Sequence, residues 1–332
     1  MSDATNRQSS ADATSITRLE FDIEWPPKHA AAYLIETSDP ILVDAGNPGD
    51  RGEQAVRTEL AAQGYDPSDV GAVIVTHPHS DHIGQLPLFR EAGATVYAPE
   101  PVLERLERDP DELAAGVREV GRSAGYQGEA IEREVERAQS SLERNRRLLA
   151  PDEAVGFAFD ESVSVAGLEF EPIHTPGHQL HHVSLATTID DQRVLFSGDA
   201  LIEPFRPGTI HVGIDHGAYE AVDAFHEGLD RLAKRSFDHV FPGHGPVFSN
   251  ADETIEFTRS ELEALTADTL EAVTAVGPAT PMEITRRRVG EVRYPAQLLD
   301  TLGALGTLDR RGRVHCTERD GVRRYSFEKA AP

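Results

Sequence analysis

The stretch Thr76-His77-Pro78-His79-Ser80-Asp81-His82 constrains this chain more than any other. It places three imidazoles and a carboxylate within six residues, directly after the apolar, β-branched run Ala72-Val73-Ile74-Val75. A short run of that kind reads as a buried strand whose carboxyl end launches the loop. In layered α/β folds, that edge is where sites collect. Imidazole and carboxylate are good ligands for a zinc-like ion, and alternate ligands on one tight loop can face different ions. Zinc takes about four ligands in a structural site and about three plus water in a catalytic one. Six residues therefore cannot surround two ions, and partners must come from elsewhere in the chain.

They do, in order. Val43-Asp44-Ala45-Gly46 lies upstream, and Thr175-Pro176-Gly177-His178, Ser197-Gly198-Asp199 and Pro242-Gly243-His244-Gly245 lie downstream, each after an apolar segment. On these five ordered motifs the chain resembles the metallo-β-lactamase-fold metallohydrolases, a superfamily that also holds glyoxalase II, lactonases and zinc-dependent ribonucleases. The resemblance spans roughly residues 16–250.

It implies an αββα sandwich, two sheets packed together with helices outside and the metals at one edge. It assigns His77, His79 and His178 to one metal, Asp81, His82 and His244 to the other, and Asp199 to a bridging position. The cofactor implied is a pair of Zn2+ ions, although the same ligand types accept iron or manganese. Two metals ~3.5–4 Å apart hold a water whose pKa falls to about 7, supplying hydroxide as nucleophile while the second metal polarises the scissile oxygen. No Ser or Cys nucleophile is then needed. Asp81 and Asp199 thus become catalytic candidates through the metals they hold.

His182 follows His178 by four residues, as in one subgroup of the superfamily; it reads either as a proton donor to the leaving group or as a structural histidine. Asp44 reads either as an orienting hydrogen-bond partner for a ligand or as a carboxylate satisfying turn amides. His174, His181, His211 and His216 are not demanded by any spacing, and Tyr219 reads as an oxyanion donor or as core.

Composition narrows the setting. The 332 residues suffice for one large core plus a small extra domain. One cysteine, Cys316, excludes an intramolecular disulfide framework. No run of ~18 apolar residues occurs, so no membrane span is expected. Residues 1–15 are polar and lack the apolar centre of a secretory signal; they read as a disordered lead, and the protein as cytoplasmic. The net charge is −25, and only Lys28, Lys234 and Lys329 among 32 basic residues are lysines. Such an acid-rich, lysine-poor balance resembles halophile proteins and informs about the solvent more than the substrate. An ordinary acidic protein is the alternative.

Along the chain, Ile16 to Trp25 and Ala30 to Glu36 alternate around Pro26-Pro27 and suggest an antiparallel pair. Strands and helices then alternate through the His loop to Thr95-Val96-Tyr97. Residues 99–151 depart from that rhythm and read as a two- to three-helix insertion, either a lid over the site or a pair that stabilises or dimerises the chain. Strands resume from Glu161. A linking helix is expected over 251–280, and 281–332 reads as two short helices and a hairpin, the order of a winged helix.

That last segment holds 11 basic and 7 acidic side chains, +4 within a chain of −25, which leaves −29 on residues 1–280. It suits either nucleic-acid phosphates or the acidic body of the protein itself. Three functions follow: a small-molecule ester, thioester or lactone hydrolase, a metal-dependent ribonuclease or phosphodiesterase, and a mononuclear iron enzyme such as the persulfide dioxygenases. A filled second ligand set, Asp81, His82 and His244, weighs against the third.

Overall fold

The computed structural model describes residues 15–327, so nearly all of the lead read over 1–15 lies outside the described residues. Strands β1 (Ser15–Asp22) and β2 (His29–Glu36) pair antiparallel from Ser15↔Glu36 to Asp22↔His29. Next come β3 (Ile41–Val43), helix α1 (Asp50–Ala62) and β4 (Ala72–Ile74), which delivers the His loop. The short α2 (Ser80–Ile83), α3 (Leu86–Glu91) and β5 (Thr95–Pro99) follow.

The insertion is three helices, α4 (Glu100–Leu106), α5 (Pro110–Ala124) and α6 (Glu129–Leu149). It returns into β6 (Val155–Phe157), a strand that escapes a reading of the sequence. Three residues at a sheet edge, two of them exposed, leave no periodicity to read. The expected strand at Glu161 begins only at Val163.

A second sheet holds β7 (Val163–Val165), β8 (Leu168–His174), β9 (Val183–Ile189), β10 (Gln192–Gly198) and, after helix α7 (Ala221–Leu232), β11 (His239–Pro242). The sheet orders are β1-β2-β3-β4-β5-β6 and β11-β10-β9-β8-β7. Side-chain alternation decides which face goes where. Tyr33, Ile35, Ile41, Val43 and Ile74 meet Phe170, Val183, Leu185 and Phe196 of the facing sheet. Their neighbours Leu34, Leu42 and Val73 turn outward onto the helices, as Ile173, Leu195 and Val240 do across the molecule. Strands apolar on both faces read as continuous runs, and helices cover both outer surfaces. The architecture is the expected αββα sandwich.

Helix α8 (Ala251–Val276), α9 (Pro281–Val289), α10 (Pro295–Arg310) and the hairpin β12 (His315–Arg319) with β13 (Val322–Ser326) complete the order. The hairpin closes through Asp320 and Gly321, both at positive φ, as a two-residue turn requires. Helix α10 is packed into the body: Leu298, Leu299 and Leu302 share a cluster with Val117 of α5 and Val73 of the first sheet. Several arginines of the basic C-terminal segment pair with carboxylates of this chain, Arg310 with Asp223 and Arg311 with Glu263. Among the described residues no helix is long and apolar enough to cross a membrane.

Candidate metal centre

The His loop splits its ligands by changing backbone conformation. His77 lies before the helix and His79 on extended chain at its N-cap, and from Ser80 the chain is helical, so Asp81 and His82 leave in another direction. The result is two groups. His77, His79, His178 and Asp199 bring one ligand atom each within 4.8 Å of one another, and Asp81, His82 and His244 do the same beside them.

In the first group His79 Nδ1 lies 3.1 Å from His77 Nε2 and 2.9 Å from His178 Nε2. Asp199 stands between the groups. Its Oδ2 is 3.3 Å from His178 Nε2 and 3.1 Å from His244 Nε2, and its Oδ1 is 3.5 Å from His82 Nε2. Asp81 Oδ2 lies 3.6 Å from His244 Nε2. All seven residues proposed as ligands are thus brought together at the carboxyl ends of strands.

Each ring is held from behind. Asp44 takes a left-handed conformation at the end of β3 and accepts His82 Nδ1–H at 2.8 Å through Oδ2. Its Oδ1 accepts the Thr76 backbone N–H at 2.9 Å, and the Thr76 hydroxyl reaches the same carboxylate and His77 Nδ1. Both readings of Asp44 therefore apply to one side chain. His178 Nδ1 donates to the Gly208 carbonyl at 3.0 Å and His244 Nδ1 to that of His29. The Gln179 amide reaches His79 Nε2 at 2.8 Å. Such partners fix ring orientation and tautomer in metal sites. Thr76, Gln179 and His29 carried no signal of this kind in the sequence, because only the folded chain brings them behind the rings.

Close approach explains the motif glycines. A Cβ on Gly198, at positive φ, would sit 2.6 Å from His182 Nε2, and one on Gly243 would sit 2.3 Å from Asp199 Oδ1.

His182 needs correction as a proton donor to substrate. Its ring is fully buried; Nε2 accepts the Asp199 backbone N–H at 3.0 Å, and Nδ1 pairs with the Thr175 hydroxyl at 2.7 Å. Both nitrogens are committed, and its place is to position the Asp199 backbone. Tyr219 is likewise remote from the cluster, its hydroxyl 3.1 Å from Ser123 Oγ and its ring under Arg323. His174 stacks on Phe159, and His216 faces Glu119.

Electrostatics suits cations. Burial pushes His77 and His79 well below the ordinary imidazole value and lowers His178, so they stand neutral with lone pairs available. Burial opposes charge on His82, but Asp199, Asp44 and Asp81 raise it to about 10. Burial raises Asp199 too, yet His244 and His82 outweigh it and hold the carboxyl well below its usual range. His82 Nε2 and Asp199 Oδ1 are buried without hydrogen-bond partners. Orphaned buried donors and acceptors are rare and call for a missing partner. A cation shared by nitrogen and oxygen donors would be that partner here, and the residues fit a pair of them.

An αββα sandwich with a His/Asp cluster suited to two metal ions at one sheet edge defines the class, that of the metallohydrolase sandwiches. The profile of the metallo-beta-lactamase superfamily matches residues 25–249, and the chain belongs to that superfamily.

Metallo-beta-lactamase domain-containing protein 1 of Mus musculus is 56% identical over 57 residues, 17% of this chain, and the match spans only 21% of that relative. "Probable metallo-hydrolase YqjP" of Bacillus subtilis is 24% identical over 230 residues, 68% of this chain and 69% of its own. A ribonuclease of Thermus thermophilus is 36% identical over 106 residues, covering 29% of this chain and 24% of the enzyme. The crystal structure of a metallo-beta-lactamase family protein from Thermus thermophilus shares the fold at a TM-score of 0.79 and 24% identity, over 94% of this chain and 98% of that one.

Proposed function

We propose that the protein is a zinc-dependent hydrolase that cleaves an ester, thioester or lactone of a small molecule. His77, His79 and His178 would hold one ion, Asp81, His82 and His244 the other, with Asp199 shared between them. When bound, two such ions polarise a carbonyl or phosphoryl oxygen and bring the pKa of a water to about 7. The chain's own part is to fix the ligand rings through Asp44, Thr76, Gln179 and two backbone carbonyls, and to fix Asp199 through His182.

The observation that carries the choice of substrate is the ground beside the cluster. On the His79 side lies a largely apolar cavity of about 310 Å³ under the insertion, in the size range of small-ligand pockets. On the Ser80 side lies a cleft whose wall carries Glu20, Asp22, Glu24, Asp50 and Glu59 against Arg51 and Arg144. A polyanion laid across that wall meets like charge, whereas nucleic-acid binding rests on cationic contacts to phosphate. The nuclease reading draws on relatives named as a ribonuclease and as an exodeoxyribonuclease, each matched over about a quarter of its length. The pairing of Arg310 and Arg311 with carboxylates of the same chain leaves fewer cations for phosphates.

The test is elemental analysis of the purified protein beside turnover of a thioester, a lactone and a labelled single-stranded RNA. About two zincs per chain with carbonyl-ester turnover supports the reading, and RNA cleavage without it overturns it. About one iron and no hydrolysis means that the ligands are right and the reaction is wrong. Asp199→Ala, checked for folding by circular dichroism, is expected to lower turnover at least ~100-fold and reduce metal content, because the shared ligand goes; unchanged turnover sinks the two-ion mechanism.

A further inference from the structure

The insertion helices do more than cover the sandwich. Helix α6 is tied to the His loop, Asn145 Nδ2 donating to the Pro78 carbonyl at 2.8 Å, and Arg146 bonds the carbonyls of Leu106 and Arg108. Helix α4 is fastened to the loop after Asp199, where the buried Asp215 pairs with Arg105 and Arg108. Between these fastenings lies the cavity of about 310 Å³ that reaches His79.

Its wall is two-toned. Leu106, Val117, Leu142, Ile210, Ile214 and Leu299 make most of it apolar; the charged groups Arg105 and Arg108 with Asp215, and Arg137 with Glu134, line it as ion pairs. Gln179 and His181, close to His178 in the chain, and Arg144 and Asn145 of α6 join His79 and Pro78 at its lining. Burial, helped by Arg105, brings His181 down to about 4, so this imidazole is uncharged at neutral pH. Arg144 is half-buried, and among the described residues no carboxylate lies within ion-pair distance of it; its Nε donates to Asn145 Oδ1 at 3.1 Å. A cavity that begins at a proposed metal ligand and continues largely apolar between three added helices, its other charges paired, accepts a chain that trails from the reacting carbonyl.

We propose that this cavity is the acyl subsite and that the substrate is an ester or thioester of an apolar, medium-length carboxylic acid, its chain between α4, α5 and α6 and its carbonyl at the His79 end. This rests on the ester-hydrolase reading above. Arg144 at the lining would also pair with the carboxylate of the free acid.

The test uses the metal-loaded full chain with p-nitrophenyl acetate, butyrate, hexanoate and octanoate, and separately the thermal midpoint with sodium octanoate, which needs no turnover. The expected result is a rise in kcat/KM of about fourfold per methylene until the cavity is full, together with a higher midpoint in octanoate. Ala138→Phe and Ser141→Phe, two lining positions of α6, each put a ring into the space, and are expected to lower the octanoate-to-acetate ratio at least tenfold and to abolish the octanoate shift. Arg144→Gln should weaken the shift without altering the chain-length ratio. Equal turnover across the series, or ratios untouched in both filling variants, overturns the assignment. If no ester is cleaved although two metals are bound, the hydrolase reading fails. In that event an octanoate shift lost in the filling variants still upholds the subsite, and no shift in the unsubstituted protein overturns it as well.

Discussion

Asp44 does two jobs with one carboxylate, accepting His82 Nδ1–H through one oxygen and the Thr76 amide through the other. Asn at this position presents a single acceptor oxygen, so one of the two groups loses its partner. Asp44→Asn is therefore expected to weaken binding of the second ion about 10–100-fold, read by titration against a chelator of known affinity; unchanged affinity would show that the ring is held by packing alone. His181 gives a pH signature. Burial first, and then Arg105, bring it to about 4 in the fold against an ordinary value near 6.5. Between those values the unfolded chain binds a proton that the folded chain does not, so stability falls as pH drops from about 6.5 to about 4 and is insensitive to this group outside that window. His211, also brought down to about 4, adds to the same slope. In His181→Gln the loss of urea midpoint between pH 7 and pH 5 should be smaller than in the unsubstituted chain, and an identical loss would remove His181 from the account.

At the scale of elements, the insertion is held by its share of the apolar core and by a small set of polar fastenings. Asp215 is almost wholly buried on the loop after Asp199, and the arginines that neutralise it both come from the beginning of the insertion. Asp215→Asn leaves two half-buried cations without a counter-charge. The pairs keep some solvent, so the cost is expected at about 1–3 kcal/mol, measured by urea denaturation, with faster amide exchange in α4 and α5 than in the sheets. Exchange that rises evenly over the molecule would mean that Asp215 supports the whole fold rather than this attachment. The same scale explains α10. Gly306 in its interior forgoes the helix preference of Ala by about 1 kcal/mol, and a Cβ there would lie 1.9 Å from the Tyr219 carbonyl. Close packing against the body outweighs local propensity.

Taken as a whole molecule, residues 281–327 hold part of the core. Leu298, Leu299 and Leu302 sit in one cluster with the insertion and the first sheet, and Ala304 joins the cluster under α7 and α8. Deleting residues 281–332 is expected to abolish cooperative thermal unfolding along with turnover, read by circular dichroism; a truncated chain that melts cooperatively and hydrolyses esters would make the segment an accessory. The residues themselves determined much of this protein. Five strand-end motifs carry the family resemblance, and the resemblance implies the layered fold and the seven ligands that the fold clusters; short apolar runs and His and Asp close in the chain are local signals that make those motifs legible. Tertiary structure alone decided the rest. Strand β6 is too short and exposed to carry a period, and pairs only because β5 lies beside it. Whether His182 faces substrate or the Asp199 amide depends on how closely Gly198 lets two strands approach. That the insertion lies beside the His loop shows only in its packing on the core and in contacts such as those of Asp215 and Asn145, whose partners are distant in the chain. Ligand chemistry is written in residue type, but orientation, access and burial arise only when separate strand ends meet at one edge.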